Sequence, residues 1–364
     1  MERRFFLKGM AMAGVAAPYS GNLFANNARS MNMLPEDELP GPDEAQKKWM
    51  ELKFGMFIHF GLNTFHDVEW SGGDKDLNVF NPSKLNTDEW CAVAKDAGMK
   101  YVVLVAKHHD GFCLWPSKTT NYSVAKTPFK KDITGMLVNS AEKFGLKTGF
   151  YYSLWDRHQK IEKEDNPGET EFILQQLDEL MSDYGDITEF WFDGSWKKQQ
   201  SGWKNNDGDW CTPQEFEMAW RFEGSYRWQM DLIYKHIKSR QQNCIVMNNP
   251  TTRFKGVPLH PVDALCAERG TDLDDYQRYW NWLGMKKFYP LQIETTMSTT
   301  GKEQFSKGSW FWHEWDHSVA AREKIMEWLN LSEKLGANLL LNCGPMATGQ
   351  LRPEDINVLT NLRN

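Results

Sequence analysis

Eight short apolar runs, most of them ending in polar or charged side chains, organise the chain between residues 54 and 342. They are FGMFIHF (54–60), YVVLVAKHH (101–109), TGFYYS (148–153) and ITEFWFD (187–193), then CIVMNN (244–249), DALCAE (263–268), LQIETT (291–296) and ANLLLN (337–342). Runs this short and this continuously apolar suit strands buried on both faces, as in parallel sheets covered by helices. Segments with helical spacing separate most of them. TDEWCAVAKDAGM opens with Thr87 as a cap and closes at Gly98, DITGMLVNSAEKFG closes at Gly145, and TEFILQQLDELMSDYG closes at Gly185. Further along come TPQEFEMAWRFEGSYRWQMDLIYKHIKSR, VAAREKIMEWLNLSEKLG and RPEDINVLTNLR. No Gly-x-Gly-x-x-Gly follows the first run. Eight such units therefore favour an α/β fold of the closed (β/α)8 TIM-like barrel type over a doubly wound nucleotide-binding sheet. The connections around the fifth to seventh runs are irregular, with no helix between Asn248 and Pro261, so the barrel is expected to lack a helix there.

The net charge of −7, without a long basic run, argues against a nucleic-acid partner. Six scattered cysteines without a C-x-x-C pair read as buried thiols, not as a disulfide framework or a zinc site. Seventeen tryptophans are many for 364 residues; they serve either a large aromatic core or stacking against sugar rings. The first 29 residues read as an export leader: Arg3 and Arg4 precede a short apolar stretch, in a layout like a twin-arginine signal, with Glu2 where Ser or Thr is usual. The stretch is too short to span a membrane. An exported bacterial protein, periplasmic or extracellular, is expected, with residues 30–364 forming the barrel and no appended β-sandwich.

In such a barrel the C-terminal strand ends form the active face. Here they carry His59, His108, His109, Tyr151, Asp193, Asn248, Glu268, Glu294 and Asn342. Asp193, Glu268 and Glu294 end the fourth, sixth and seventh runs, so they can converge. Two carboxyls facing one bond are what glycoside cleavage requires, one ionised at the sugar carbon and one donating a proton to the leaving oxygen. Each acid taken alone reads equally well as a salt-bridge partner or helix cap. His108 and His109 are adjacent on a strand and should point to opposite faces, a poor chelating pair. A rival metal motif lies at His313-Glu314-Trp315-Asp316-His317, which matches H-E-x-x-H. Its aromatic surroundings read as a loop leading to a helix near Ser318, so no metal is expected.

KFGMFIHFGLNTF, VEW, KHHDGFCLWPSKTTNYSV, GLKTGFYYSLWDR, FWFDG and GANLLLNCGP run in order from Lys53 to Pro345. Together they resemble the α-L-fucosidases of glycoside hydrolase family 29. The resemblance implies a (β/α)8-like barrel, often missing a helix, and a retaining double displacement without metal or other cofactor. By motif, Asp193 matches the nucleophile and Trp191 a neighbouring pocket residue. His59, His108, His109 and Tyr151 match residues that hold the fucose hydroxyls. Glu69 and Trp70 match a second pair in that pocket, and Trp310 the aromatic residue near the fucose methyl. Arg253 matches a substrate-facing arginine, although NNPTTRFKG around it departs from the family pattern. Glu268 holds the strand-six position of the acid/base. Glu294, in the later WET-like pattern, is the alternative.

The leading expectation is an exported retaining exo-α-L-fucosidase acting on a fucosylated oligosaccharide or glycoconjugate. A related exo-glycosidase acting on α-L-galactosides is the second reading, and an inactive fucose-binding barrel the third. A polar group beside Trp310 would favour the second, because a buried hydroxyl needs a partner.

Overall fold

The computed structural model describes residues 39–161, 169–194, 228–249, 261–270, 273, 278–282, 285–301 and 308–363. The leader, Arg253, Cys211 and the Trp-rich stretch 196–210 lie outside the described residues. The chain divides into two compact units, Met1–Pro40 with Tyr279–Lys287, and Gly41–Arg278 with Phe288–Asn364.

The second unit opens with α1 (Glu44–Met50), whose capping box pairs Asp43 and Gln46 reciprocally. Then follow β1 (Phe54–Ile58), α2 (Leu62–Phe65), α3 (Thr87–Asp96), β2 (Tyr101–Lys107), α4 (Ile133–Phe144) and β3 (Lys147–Ser153). Next come α5 (Glu169–Asp183), β4 (Ile187–Asp193), α6 (Met230–Arg240), β5 (Ile245–Asn248) and β6 (Leu265–Glu268). A two-stranded hairpin, β7 (Tyr279–Trp282) with β8 (Met285–Phe288), lies almost wholly in the first unit and was not anticipated from the sequence. Finally β9 (Leu291–Thr296), α7 (Arg322–Lys334), β10 (Asn338–Asn342) and α8 (Pro353–Thr360) complete the chain.

Eight parallel strands form one sheet in the order β5-β4-β3-β2-β1-β10-β9-β6. They are the eight apolar runs, shifted by at most two residues at their starts, and they form the expected (β/α)8 TIM-like barrel. The seam between β5 and β6 closes through Asp263. Its backbone N–H donates to the Val246 carbonyl at 2.7 Å, and its carboxylate accepts from the Val246 N–H at 3.0 Å. A side chain thus stands in for a ladder partner where the named strands do not pair.

Helix boundaries follow local chemistry. Asp132 caps α4 by accepting from the Gly135 N–H, and Gly145 ends it with φ 67°. The cap of α3 is Asn86, one residue before the expected Thr87. Asn86 is the better side-chain acceptor, and the Thr87 hydroxyl is drawn off to the Met136 carbonyl and Ser140, tying α3 to α4.

Inward-facing residues fill the barrel in size-matched layers. A Cβ on Gly55 would meet the Tyr101 ring at 2.5 Å, and one on Gly149 the Glu189 Cγ at 2.6 Å, so each glycine makes room for a large neighbour. Phe57, Val103, Tyr151, Trp191, Met247 and Leu340 belong to this core. At the N-terminal end α1 supplies the plug. Trp49 is buried there, its indole N–H donates to Glu189 Oε2 at 2.6 Å, and its carbonyl accepts from Asn338. Gln292 donates to the same carboxyl at 3.2 Å. Among the described residues, no helix is long and apolar enough to cross a membrane.

Burial pushes the Glu189 carboxyl up to about 7, against the pull of its Trp49 and Gln292 donors. A carboxyl raised above its unfolded value holds its proton longer in the folded state, so stability falls as pH rises from about 4.5 to about 7. We expect the stability gap between wild type and Glu189→Gln to move by about 3 kcal/mol in favour of the variant across that window. Urea denaturation at stepped pH measures it; a gap independent of pH would show that Glu189 is ionised when folded.

Candidate active site

Asp193 ends β4, where the strand turns inside out. Gly194 follows with φ 72°, and a Cβ there would meet the Trp155 Cβ at 2.6 Å and the Ser153 Oγ at 2.9 Å. Both the turn and this packing therefore require glycine. The Asp193 carboxyl is buried but well supplied with donors. Oδ1 accepts from the Gly194 N–H at 2.7 Å and from Asn249 Nδ2 at 3.1 Å, and Oδ2 accepts from the Tyr151 hydroxyl at 2.9 Å. Burial and then the charge of Glu268 push it up to about 7, and the three donors hold it from going higher.

Glu268 ends β6 with its side chain 27% exposed. The Asn249 amide that donates to Asp193 also donates to Glu268 Oε2 at 3.0 Å. One nitrogen thus bridges two carboxyls from opposite sides of the seam. Glu294, the alternative acid, is placed differently. It is fully buried, accepts from the Trp191 indole N–H and the Ala267 backbone N–H at 3.0 Å each, and burial holds its carboxyl well above the usual range. Both its oxygens are committed inside the barrel.

Three histidines line the same end. His59 sits one residue past β1 and stacks on Trp310, with ring centroids 5.1 Å apart. Its Nδ1 lies 2.7 Å from Asn342 Oδ1. The amide orientation is settled by Asn342 Nδ2, which donates to the Trp310 carbonyl and the Thr296 hydroxyl. His59 Nδ1 therefore carries the proton. Burial lowers its pKa to about 3, so the ring is neutral and Nε2 is an acceptor. The same logic applies to His109. Ser153 Oγ donates to the Trp155 carbonyl at 2.6 Å, so it accepts from His109 Nδ1 at 2.7 Å. His109 Nε2 then faces Asp193 Oδ2 at 3.6 Å. His108 takes the other form, with Nδ1 next to the donating Asn63 amide at 3.4 Å. Burial holds both His108 and His109 well below the usual histidine range.

The expectation that His108 and His109 point to opposite faces fails. β2 ends at Lys107, so strand alternation no longer applies, and their rings lie side by side at 4.1 Å, both within reach of Tyr151. Trp70 packs edge-on against His109 at 5.3 Å and Trp155 at 6.0 Å. Trp191 stacks on Tyr151 at 5.3 Å. Glu69 works from the side of the site: its Oε1 accepts from the Trp310 and Phe311 backbone N–H groups and lies 2.9 Å from His313 Nε2. It thereby fixes the backbone that carries Trp310.

The H-E-x-x-H stretch is a turn and not a helix. His313 is held between Asp67 and Glu69, with Trp315 stacked on it at 4.9 Å, while Glu314 and His317 are exposed. Among the described residues no group of three His, Cys, Asp or Glu side chains is placed to hold a metal ion. Sequence reasoning missed Asn249, Ser153 and Arg269. Asn249 was the legible one, as the second amide of CIVMNN, placed beyond the strand end where the neighbouring runs carry their polar groups.

The Alpha-L-fucosidase family profile matches residues 26–364. Alpha-L-fucosidase 1 of Arabidopsis thaliana is 30% identical over 354 residues, covering 92% of this chain and 62% of that protein. A glycoside hydrolase 29 family member from an unknown rumen bacterium aligns with a TM-score of 0.70 at 26% identity, over 89% of this chain and 56% of the other. An alpha-L-fucosidase GH29 from Bacteroides thetaiotaomicron, trapped as a covalent intermediate with 2-fluoro-fucosyl fluoride, aligns with a TM-score of 0.66 at 25% identity, over 89% and 75%. The chain spans less than two thirds of the plant relatives' length, 62% of the Arabidopsis protein and 58% of one from rice. With a match that runs from residue 26 to the end of the sequence and a barrel shared with solved relatives, the chain belongs to the alpha-L-fucosidase family, glycoside hydrolase family 29.

Proposed function

We propose that the protein is a retaining exo-α-L-fucosidase that removes terminal α-L-fucosyl residues from glycans. One observation carries the reading: the Asn249 amide nitrogen lies 3.1 Å from Asp193 Oδ1 and 3.0 Å from Glu268 Oε2. Two oxygens on one nitrogen are within roughly 6 Å of each other, near the ~5–5.5 Å of retaining enzymes and short of the ~6.5–9.5 Å that admits a direct water. Asp193 Oδ attacks the anomeric carbon as the bond to the leaving oxygen breaks, and Glu268 gives that oxygen its proton. Water then attacks the same carbon, passes its proton to Glu268 and frees Asp193. His59 Nε2 is an acceptor for a sugar hydroxyl, and Trp310 stacks on the His59 ring.

The committed oxygens of Glu294 favour Glu268 as the proton donor. The α-L-galactosidase reading draws on Arg269, whose guanidinium lies over the Trp310 ring at 5.0 Å; comparing aryl α-L-fucoside with aryl α-L-galactoside turnover separates the two. The pairing of Asp193 with Glu268 weighs against an inactive sugar-binding barrel, and fucose binding without cleavage of an activated fucoside would restore that reading. Arg3 and Arg4 support export, which a signal-cleavage assay tests.

Asp193→Ala is expected to lose at least roughly 10³-fold in turnover of an aryl fucoside. Glu268→Ala is expected to lose about 10²–10⁴-fold on poor leaving groups, keep cleavage of good ones and be rescued by azide. Rescue of Glu294→Ala instead would reassign the acid. Because Asp193 attacks only when ionised, kcat/KM of the free enzyme is expected to fall as pH drops below about 7. A profile flat down to pH 5 would contradict a buried, proton-retaining Asp193.

A further inference from the structure

Arg269 immediately follows Glu268, and no motif in the chain pointed to it. Its backbone is left-handed, with φ 63°, a conformation uncommon for a residue other than glycine. Its side chain is held from two directions. Nη2 donates to the Gly308 carbonyl at 2.8 Å, and the guanidinium lies 5.0 Å from the Trp310 ring centroid. Nη1 is buried and has no acceptor among the described residues, so anchoring leaves part of the fork unused. Nε faces Glu268 Oε1 at 3.7 Å, while Asn249 serves Oε2 of the same carboxyl.

That distance is informative. At 3.7 Å the contact is too long for a hydrogen bond but short enough for charge to act. A fixed cation at this distance attracts the carboxylate that forms as the proton leaves.

We propose that Arg269 is the positioning residue for proton donation in the first half-reaction, an inference that rests on Glu268 being the acid. In that step the bond from the anomeric carbon to the leaving oxygen breaks and the Asp193 ester bond forms. The Glu268 proton moves to the leaving oxygen, and the negative charge appears on Glu268 beside Arg269. Electrostatic help of this kind acts only where the proton transfer matters, that is, on poor leaving groups.

The test measures kcat/KM of wild type, Arg269→Met and Arg269→Lys on phenyl and 2,4-dinitrophenyl α-L-fucosides. In Arg269→Met the phenyl substrate is expected to lose about five- to tenfold and the dinitrophenyl substrate less than about twofold, with Arg269→Lys within about threefold of wild type on both. Equal losses on both substrates, no loss on either, or a lysine variant no better than methionine would overturn the proposal. If Arg269→Met does not fold by thermal melting, Arg269→Gln is read against the same expectations. A wild type that cleaves neither fucoside would sink the fucosidase reading itself, a result distinct from any pattern among the variants.

Discussion

A carboxylate at the end of a buried strand persists only if its oxygens find donors, and Asp193 has three: the Gly194 N–H, the Asn249 amide and the Tyr151 hydroxyl. Each donor comes from a different part of the barrel. Gly194 supplies its N–H through a left-handed turn at the end of β4, Tyr151 lies on the adjacent β3, and Asn249 follows β5 at the seam. The same Asn249 amide reaches across that seam to Glu268, so the support of one carboxyl sets the position of the other. The closure of the barrel and the spacing of the candidate acid pair are therefore one problem with one solution.

Depth along the barrel axis distinguishes four carboxyls carried by the barrel strands. Glu189, near the plug of Trp49, serves as an acceptor between α1 and Gln292. Glu294 bridges Trp191 and the backbone of β6 and is sealed from solvent. Asp193 and Glu268 lie nearer the rim, Asp193 buried beneath its three donors and Glu268 with 27% of its side chain exposed. Their neighbourhood is rich in neutral histidine rings whose tautomers are fixed by their own partners, so the rim presents defined donors and acceptors without added charge.

Most of the fold was legible because parallel barrel strands have a simple signature. Val102, Leu104 and Ala106 face the helices while Tyr101, Val103 and Val105 face the core, so YVVLVA is apolar throughout. The hairpin of β7 and β8 was not legible, since YWNW and MKKF are short and flanked by no strong turn pair. His59, Tyr151, Asp193 and Glu268 stand at or near the C-terminal ends of apolar runs in the sequence, and the structure brings them to one end of the barrel. Sequence reasoning failed where position depends on a turn. His108 and His109 lie side by side only because β2 stops before them, and Asn249 reaches both carboxyls from just past the end of β5. The depth of Glu294 was not legible either: counting to a strand end does not tell whether a side chain stands at the rim or one layer below it.

The proposed retaining mechanism requires Asp193 to form a bond to the sugar carbon. The most direct measurement is peptide mass spectrometry after inactivation with an activated 2-deoxy-2-fluoro-α-L-fucoside, in which the fluorine slows release of any ester. We expect one 2-deoxy-2-fluorofucosyl group per protein, on the peptide containing Asp193 and localised to that residue. A label on Glu268 or Glu294, or turnover that leaves the protein unlabelled and gives the inverted sugar, would contradict it.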